Sequence, residues 1–431
     1  MSPEFTGIIG LIVLLVLMFA GMDVGIAMAC TGFLGLIYIS GMKSALAIIA
    51  VTPYSVIAYY PFTVIPLFVL MGAIVSNTGM GSYLYNSAHK WFGQLRGGLA
   101  IATVAACAFF AAMCANSTAE TITLGKVALR EMKRFNYSDD LACGVVASGG
   151  TLGILIPPSI AFVVYGILTE QSIGMLFMAG IIPGILLSLA FIFVILVWSG
   201  INPAVAPAGE KVPLKEKIIS LKYTWMALAL FLLILGGIYL GIFTPTEAGA
   251  IGAFGSMIIM LIARKLNKSN LLISISEAGT TTASILILMC GAFIFMKFIT
   301  LSKLPFFMAD SISSLEISPY LVIAMIVGVY IILGMFMDVV AAIVLTVPLI
   351  LPVVESLGFD PIWFGVVTVL LNEMGLITPP VGMNVFVLTT ITNTPMSTMF
   401  RGVWPFAGAM LAIIIILIIW PQLVLLIPRL M

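Results

Sequence analysis

The sequence predicts an all-α, polytopic membrane protein, and its composition and segment lengths carry this prediction. Of 431 residues, 62% are hydrophobic and only 8% are charged, whereas soluble domains carry about 25% charged residues. Many apolar stretches approach or exceed the roughly 20 residues with which a helix crosses a bilayer. Strand-like alternation of apolar and polar residues is absent, which argues against a membrane β-barrel. A soluble enzyme is excluded because it would need far more polar surface.

Short breaks with glycine, proline or charge separate the apolar segments, and one longer polar linker spans residues 200–222. This linker lies near the middle of the chain and suggests two halves. A shift of 222 residues brings several unusual residues into coincidence without a gap, which predicts an internal repeat. The aligned pairs are Asn116 with Asp338, Gly153 with Gly375, Pro157-Pro158 with Pro379-Pro380, and Pro183 with Pro405.

The basic residues predict how the halves sit in the membrane, because lysine and arginine collect on the cytoplasmic side of short loops. Segment 98–134 has basic residues at both ends and a polar middle at 116–118, so we predict a re-entrant hairpin with its tip there. Segment 319–355 lacks them and is predicted to enter from the opposite face, with Asp338 at its tip. With the amino end outside, 14 of the 18 basic residues lie inside. The two repeats then have opposite orientation, a recurring plan of secondary transporters.

The chain accordingly divides into five predicted parts. Residues 1–97 are scaffold helices with an amphipathic arm at 78–93, and residues 98–199 are one half of a transport domain, with a hairpin, a broken helix and a following helix. Residues 200–222 form a cytoplasmic linker. The second repeat supplies scaffold helices and an arm (302–316) in residues 223–318, and the other transport-domain half in residues 319–431.

Two segments are predicted to be broken helices inside the membrane, because each combines a Pro-Pro pair with glycines. They span 148–159 and 372–384. Non-helical backbone survives in a bilayer only where protein buries it or where it lines a water-filled cavity, and its carbonyls can coordinate Na⁺. We predict two Na⁺ sites, each between a hairpin tip and a broken helix, with substrate between them. The candidate sodium- and substrate-binding residues are Asn116, Ser117, Thr118, Gly150, Gly153, Pro157, Ser159, Gly334, Asp338, Glu373, Gly375, Thr378, Pro379, Gly382 and Asn384.

The carboxylates have a specific physical reason to be functional. An ionised side chain in a membrane is costly unless it has a partner, so Asp338 is expected to meet a cation. Glu373 and Glu120 are candidates of the same kind, although a helix-end carboxylate in water is the alternative for Glu373. The hydroxyls of Ser117 and Thr118 suit a cation ligand and a helix cap equally. Since the tips and broken helices contain no lysine or arginine, an anionic substrate would rely on helix dipoles, hydroxyls and bound Na⁺.

Other chemistries find little support in the sequence. The five cysteines lie in apolar segments without metal-ligand spacing, and the single histidine, His89, cannot build a metal site alone. No GxxxxGK[ST] motif for ATP is present. The first apolar segment lacks a basic region and a cleavage site, so we expect a retained span. A net charge of +1 gives no indication of nucleic acid as a partner.

Several motifs together resemble the large membrane subunit of tripartite ATP-independent periplasmic (TRAP) transporters, and the resemblance covers essentially the whole chain. The motifs are residues 97–100 (GGLA), 116–121 (NSTAET), 149–159 (GGTLGILIPPS), 176–184 (LFMAGIIPG), 244–250 (TPTEAGA), 348–352 (PLILP) and 375–384 (GLITPPVGMN).

The resemblance implies a function that the residues alone do not give. Such subunits move an organic anion inward with Na⁺ across the bacterial inner membrane, by an elevator motion of hairpins and broken helices against a scaffold. They work with a small four-helix membrane subunit, expected here to be a separate chain, and with a soluble periplasmic binding protein that selects the substrate. Sialic acid and C4-dicarboxylates are the leading expectations for the organic acid. Na⁺ is expected as coupling ion, with no organic cofactor.

Three alternatives stay open at this point. A stand-alone Na⁺/dicarboxylate or citrate symporter of the same architecture would need no binding protein. A channel would need a continuous pore but not two opposed hairpins. An intramembrane enzyme could use Asp338 and Glu373 as a carboxylate pair, yet no paired-aspartate, HExxH or serine–base motif accompanies them.

Overall fold

The computed structural model describes residues 2–209, 211–314 and 317–431, and in these residues it contains helices and turns but no strand. Within this described part, six helices are long and apolar enough to cross a membrane, or up to eight if each bent pair counts as one span. The predicted all-α, polytopic architecture is therefore confirmed. Along one long helix Ile185, Leu189 and Phe193 are each more than half exposed, as expected of a surface that faces lipid tails.

The first half of the chain forms eleven α-helices within the described residues. Polar residues cap several of them; Asn116, Ser138 and Ser159 each accept a backbone N–H from the first turn of the helix that follows. The helices are α1 (Pro3–Phe19), α2 (Val24–Ser40), α3 (Met42–Ile57), α4 (Val64–Asn77), α5 (Met80–Phe92), α6 (Gly98–Cys114), α7 (Ser117–Arg134), α8 (Asp139–Gly150), α9 (Leu152–Leu155), α10 (Ile160–Thr169) and α11 (Ile173–Ile201).

The second half follows after a shorter connection than the predicted linker, because α12 already begins at Leu214, next to Pro213. Its helices are α12 (Leu214–Tyr239), α13 (Pro245–Ile262), α14 (Lys268–Leu301), α15 (Leu304–Ser314), α16 (Pro319–Gly334), α17 (Val339–Ser356), α18 (Pro361–Gly375), α19 (Met383–Thr389), α20 (Met396–Ile419) and α21 (Gln422–Leu425). Residue 210 of the linker and residues 315 and 316 of the second arm lie outside the described residues.

Helix boundaries coincide under the shift of 222 residues that aligned the two halves of the sequence. The shift carries α7 onto α17 at both ends and the first residue of α8 onto the first residue of α18. One pair differs, because α3 and α4 are separated at Pro61 whereas α14 runs unbroken over 34 residues. The shift places Ala283 opposite Pro61, so the second half lacks the proline that interrupts the first. The opposite membrane orientation of the two halves stays a prediction.

Both predicted hairpin tips and both predicted breaks lie at helix ends. α6 and α7 are separated only by Ala115 and Asn116, and Asp338 caps the start of α17 after the end of α16 at Gly334. The first broken helix bends by 41° between α9 and α10, where the two prolines of residues 157–158 lack backbone donors. The second break separates α18 from α19 across residues 376–382.

The packing places hairpins and broken helices side by side. α8 packs against α20 and α7, α10 packs against α17, and α18 lies between α16, α17 and α20. A second group consists of α2, α4, α13 and α14, in which α14 contacts both α2 and α4. The predicted arms correspond to α5, which packs on α6 and α12, and α15, which packs on α17. The two arms thus lie against the two hairpins.

Candidate functional site

The tip of the first hairpin is a sharp change of direction between α6 and α7. Ala115 has a φ of 54°, in the left-handed region, and Asn116 is extended. The Asn116 carboxamide oxygen accepts a hydrogen bond from the Ala119 backbone N–H at 2.8 Å, which caps α7. Asn116 and Thr118 are half-buried, whereas Ser117 is fully buried. The tip therefore turns the Ser117 hydroxyl into the protein.

The Ser117 hydroxyl joins the first tip to both broken helices. Its oxygen lies 2.8 Å from the Gly150 carbonyl oxygen and 2.9 Å from Glu373 Oε2, and it accepts a hydrogen bond from Asn384 Nδ2 at 3.0 Å. A hydroxyl carries a single hydrogen, so the Gly150 and Glu373 oxygens compete for one donor. Ser117 thereby links residues that are 256 and 267 positions away in sequence, one from each side of the second break.

Within the part of the chain that the structure describes, buried oxygen atoms of residues that contact Ser117 have no hydrogen-bond partner. Asn384 donates to the Ala147 carbonyl at 3.3 Å, but its own oxygen is unpaired, as is Glu373 Oε1. Both side chains are fully buried. Unpaired buried oxygens of the described residues also belong to Glu120 and Thr121 of α7, which face Gly153 and Gly150, and to Ser148 and Asn372 of the two broken helices. The surroundings of Ser117 are therefore rich in acceptors, which is the environment that a hard cation favours.

Glu120 lies one turn beyond the tip and is fully buried, with the Cys107 thiol as a neighbour of its carboxylate. Neither carboxylate oxygen has a hydrogen bond of good geometry within the described residues. It faces the broken helix so closely that a Cβ on Gly153 would collide with Glu120 Oε2 and would lie 3.3 Å from the Asn116 carbonyl oxygen. A Cβ on Gly150 would similarly collide with the Thr121 hydroxyl. Gly150 and Gly153 thus allow α7 to pack directly on α8 and α9.

The first break offers backbone groups rather than polar side chains as ligands for a cation. Pro157 and Ser159 are buried in the connection between α9 and α10. Ser159 Oγ accepts a hydrogen bond from the Phe162 N–H at 3.4 Å, so its role in the structure is to cap α10. Neither residue has a hydrogen bond to the Ser117 group among the described contacts.

The second tip differs from the first. Gly334 and Gly375 meet backbone to backbone, and a Cβ on Gly375 would overlap the Gly334 carbonyl carbon. Asp338 caps α17 through its Oδ2, which accepts the Val340 N–H at 3.1 Å, but its side chain is exposed. The position that corresponds to Ser117 is Val339. The second tip therefore has no matching hydroxyl, and the polar contacts of the first tip have no symmetric copy.

The remaining candidates lie in the second break. Thr378 Oγ1 donates to the Met374 carbonyl at 2.6 Å, which uses its proton to cap the end of α18. Pro379 is half-buried. Gly382 has a φ of +57°, and a Cβ there would lie 3.0 Å from the Phe400 ring, so this turn into α19 requires glycine.

Three residues with unpaired buried oxygens on α7 and the broken helices were not among the predicted site residues. They are Thr121, Ser148 and Asn372. Each is a sequence neighbour of a residue that was predicted or considered, so the available signal was a polar side chain inside the same apolar segment. Within the described residues, no group of three or more histidine, cysteine, aspartate or glutamate side chains could hold a metal ion. The donor set consists of hydroxyl, amide, carboxylate and backbone oxygens, which suits an alkali cation better than a transition metal.

Comparison with known proteins identifies the family. Residues 11–423 match the family model described as the tripartite ATP-independent periplasmic transporter, DctM component. The C4-dicarboxylate TRAP transporter large permease protein DctM of Pseudomonas aeruginosa is 36% identical over 400 residues, which cover 90% of this chain and 93% of that protein. The sialic acid TRAP transporter large permease protein SiaM of Vibrio cholerae is 30% identical over 418 residues, which cover 96% of each chain.

A solved structure shares the fold. The YdaH transporter of Alcanivorax borkumensis superposes with a TM-score of 0.66 over 90% of both chains, at 15% sequence identity. The family match also confirms two expectations from the sequence, since the family consists of multi-pass permeases of the bacterial inner membrane and not of enzymes. This chain belongs to the DctM family, the large permease proteins of TRAP transporters.

Proposed function

We propose that this chain carries out Na⁺-coupled uptake of an organic acid across the bacterial inner membrane, by an elevator mechanism. The acid is delivered by a periplasmic binding protein, and a separate small four-helix membrane subunit completes the transporter. One observation carries the Na⁺-coupling part of the proposal: a single buried hydroxyl, Ser117, ties the first hairpin tip to both broken helices among unpaired oxygens. A cation bound there would affect all three segments at once.

The substrate is proposed to be a C4-dicarboxylate or a sialic acid. The support comes from two relatives, a C4-dicarboxylate permease at 36% identity and a sialic acid permease at 30% identity. Both classes carry at least one carboxylate. Because the binding protein makes the selection in such systems, the permease residues do not favour one class over the other.

Na⁺ fits the chemistry of the first tip. Ser117 Oγ lies within hydrogen-bond distance of both the Gly150 carbonyl and the carboxylate of Glu373, and Asn384 brings an amide oxygen that has no partner among the described residues. These are hard oxygen donors with a negative charge and no neighbouring lysine or arginine in the tip or the breaks. When bound, Na⁺ would neutralise the buried carboxylate and hold tip and broken helices together, so that the acid meets an ordered site.

An elevator motion is supported by how the hairpins meet the second helix group. Gly72 of α4 approaches the first tip so closely that a Cβ would lie 2.5 Å from the Cys114 carbonyl oxygen. A glycine backbone offers a smooth surface for a tip that slides past it. The arms α5 and α15 pack on the hairpins and could guide that movement from opposite ends.

The second candidate is a stand-alone symporter of the same architecture. Only the fold favours it, because the YdaH transporter shares this fold at a TM-score of 0.66. Such a symporter would transport the acid without any binding protein.

Uptake into proteoliposomes distinguishes the two. The chain is reconstituted with its small membrane subunit under an inward Na⁺ gradient, and uptake of radiolabelled succinate and N-acetylneuraminate is measured with and without the binding protein. We expect uptake of one acid only when the binding protein is present. Equal uptake without the binding protein would support the stand-alone symporter. If neither acid is taken up, the proposed substrate classes are contradicted.

A further inference from the structure

A polar cavity of about 530 Å³ begins at the first hairpin tip and lies between the hairpin and the second helix group. One wall is a single face of α7, from Asn116 to Val127, and the opposite wall comes from α4 and α14. Ten residues of helix separate Asn116 from Lys126, a distance of about 15 Å along the axis. The cavity is therefore an elongated groove that leads away from the tip.

Two charged side chains line this groove, one on each wall. Lys126 projects from α7 and is exposed, and no carboxylate of the described residues lies within 4 Å of its ammonium. Glu277 lies on α14, where Asn77 Nδ2 donates to its Oε2 at 2.8 Å. This hydrogen bond fixes the Glu277 carboxylate on the opposite wall. Among the described residues, the Lys126 ammonium keeps an unpaired positive charge inside the groove.

The predicted orientation places this groove on the cytoplasmic side of the tip. α7 runs from the tip towards Lys133 and Arg134, the basic end that the charge distribution assigns to the cytoplasm. The groove thus leads from Asn116, the chain neighbour of Ser117, towards the compartment into which the acid would be released.

The backbone of Lys126 lies about 15 Å along the α7 axis from Asn116, and Lys126 is not among the residues that contact the Ser117 hydroxyl. A four-carbon dicarboxylate has three carbon–carbon bonds of about 1.5 Å each, far less than the axial separation of Asn116 and Lys126. An anion that leaves the tip would instead meet the Lys126 ammonium as a second, separate partner. The carboxylate of Glu277 across the groove would keep that encounter weak by repulsion.

We propose that Lys126 forms a transient carboxylate-binding subsite on the cytoplasmic release path of the acid, with Glu277 on the opposite wall limiting its affinity. The inference rests on the proposed function for the identity of the anion. The effect of each of the two charges on an anion inside the groove, by contrast, can be measured without transport.

Thiol labelling inside the groove tests the charge preference directly. Thr123→Cys is introduced between the tip and Lys126, in a background whose five native cysteines are replaced by alanine, and the protein is reconstituted in nanodiscs with its small subunit. The ratio of labelling rates by anionic and cationic methanethiosulfonate reagents of similar size is then measured. Lys126→Met should lower this ratio about threefold to tenfold, as expected for one partly screened charge. Lys126→Arg should leave it unchanged, and Glu277→Gln should raise it.

A control variant shows whether a change in the labelling ratio is specific to Lys126. Lys265 lies on the same predicted side but does not line the cavity, so Lys265→Met should not change the ratio. The transported acid should slow labelling of Thr123→Cys, and it should do so less in Lys126→Met. A labelling ratio that is unchanged in Lys126→Met would overturn the subsite. A ratio that changes in the same direction in Lys126→Met and Glu277→Gln would also overturn it. A normal ratio shift without protection by the acid would overturn its place on the release path.

The proposed function and the Lys126 subsite are contradicted by different results. If wild-type vesicles take up no acid at all, the proposed function fails while the labelling ratio still reports the charges in the groove. If wild-type uptake is normal and both Lys126→Met uptake and protection are unchanged, the subsite alone fails.

Discussion

Replacing Ser117 by alanine is the sharpest perturbation of the first tip. The change removes the hydroxyl that contacts the Gly150 carbonyl and Glu373 Oε2, at 2.8 Å and 2.9 Å, and it deprives Asn384 of an acceptor. A hydrogen bond to a charged group contributes about 1.5–3 kcal/mol, and about 1.4 kcal/mol corresponds to a factor of ten in an equilibrium constant. If the hydroxyl helps to hold Na⁺, the Na⁺ concentration for half-maximal uptake should rise about tenfold to hundredfold.

The assay is the Na⁺ dependence of acid uptake in proteoliposomes, with the folded fraction measured on the same samples. Ser256→Ala is the matched control, because Ser256 is also fully buried but its hydroxyl donates only to the Ala253 carbonyl of its own helix, at 2.7 Å. We expect this control to leave the Na⁺ curve in place. Superimposable Na⁺ curves for Ser117→Ala and the wild type would refute the assignment of Ser117 to the cation site.

The other predictions concern the second tip and the orientation of the chain. Asp338→Asn should raise the Na⁺ concentration needed for uptake several-fold while α17 stays capped, and an unchanged Na⁺ activation curve would remove Asp338 from the coupling mechanism. Gly375→Ala should destabilise the fold by about 1–3 kcal/mol, because its Cβ meets the Gly334 backbone, whereas Gly408→Ala, with nothing within 4 Å, should be neutral in thermal unfolding. Leu95→Cys, which precedes the first hairpin and is 44% exposed, should react with impermeant thiol reagents only from the cytoplasm; periplasmic labelling would reverse the predicted orientation.

Much of the architecture could be predicted from short-range signals. Asn116 and Asp338 mark the starts of α7 and α17 because both can cap a helix. Pro157 and Pro379 mark the two breaks because proline cannot continue a helix hydrogen-bond pattern. The repeat strengthened each of these predictions, since a feature seen in one half was expected in the other.

The contacts that define the first tip could not be predicted in the same way. Ser117 meets Glu373 across 256 residues, and neither apolar periodicity nor a proline reveals such a partner. The repeat even suggested two equivalent sites, because it aligns Asn116 with Asp338. One position later it aligns Ser117 with Val339, and this single difference removes the hydroxyl from the second tip.

The packing contacts of the glycines could not be predicted from the sequence either. Gly150 and Gly153 were predicted as binding residues from their place in a broken segment. Their close approach to Thr121 and Glu120 gives them a packing reason that only the folded chain shows. Their part in binding stays a prediction, as does that of the other site residues.

The most direct test of the account measures Na⁺ and the acid in the same vesicles. Complete transporter is reconstituted with its binding protein, and uptake of radioactive sodium and of the labelled acid is followed in parallel. We predict that each enters only in the presence of the other, and that Ser117→Ala reduces both together. Acid uptake that proceeds equally when choline replaces Na⁺, with no sodium entering, would contradict the coupling of the acid to a cation at the first tip.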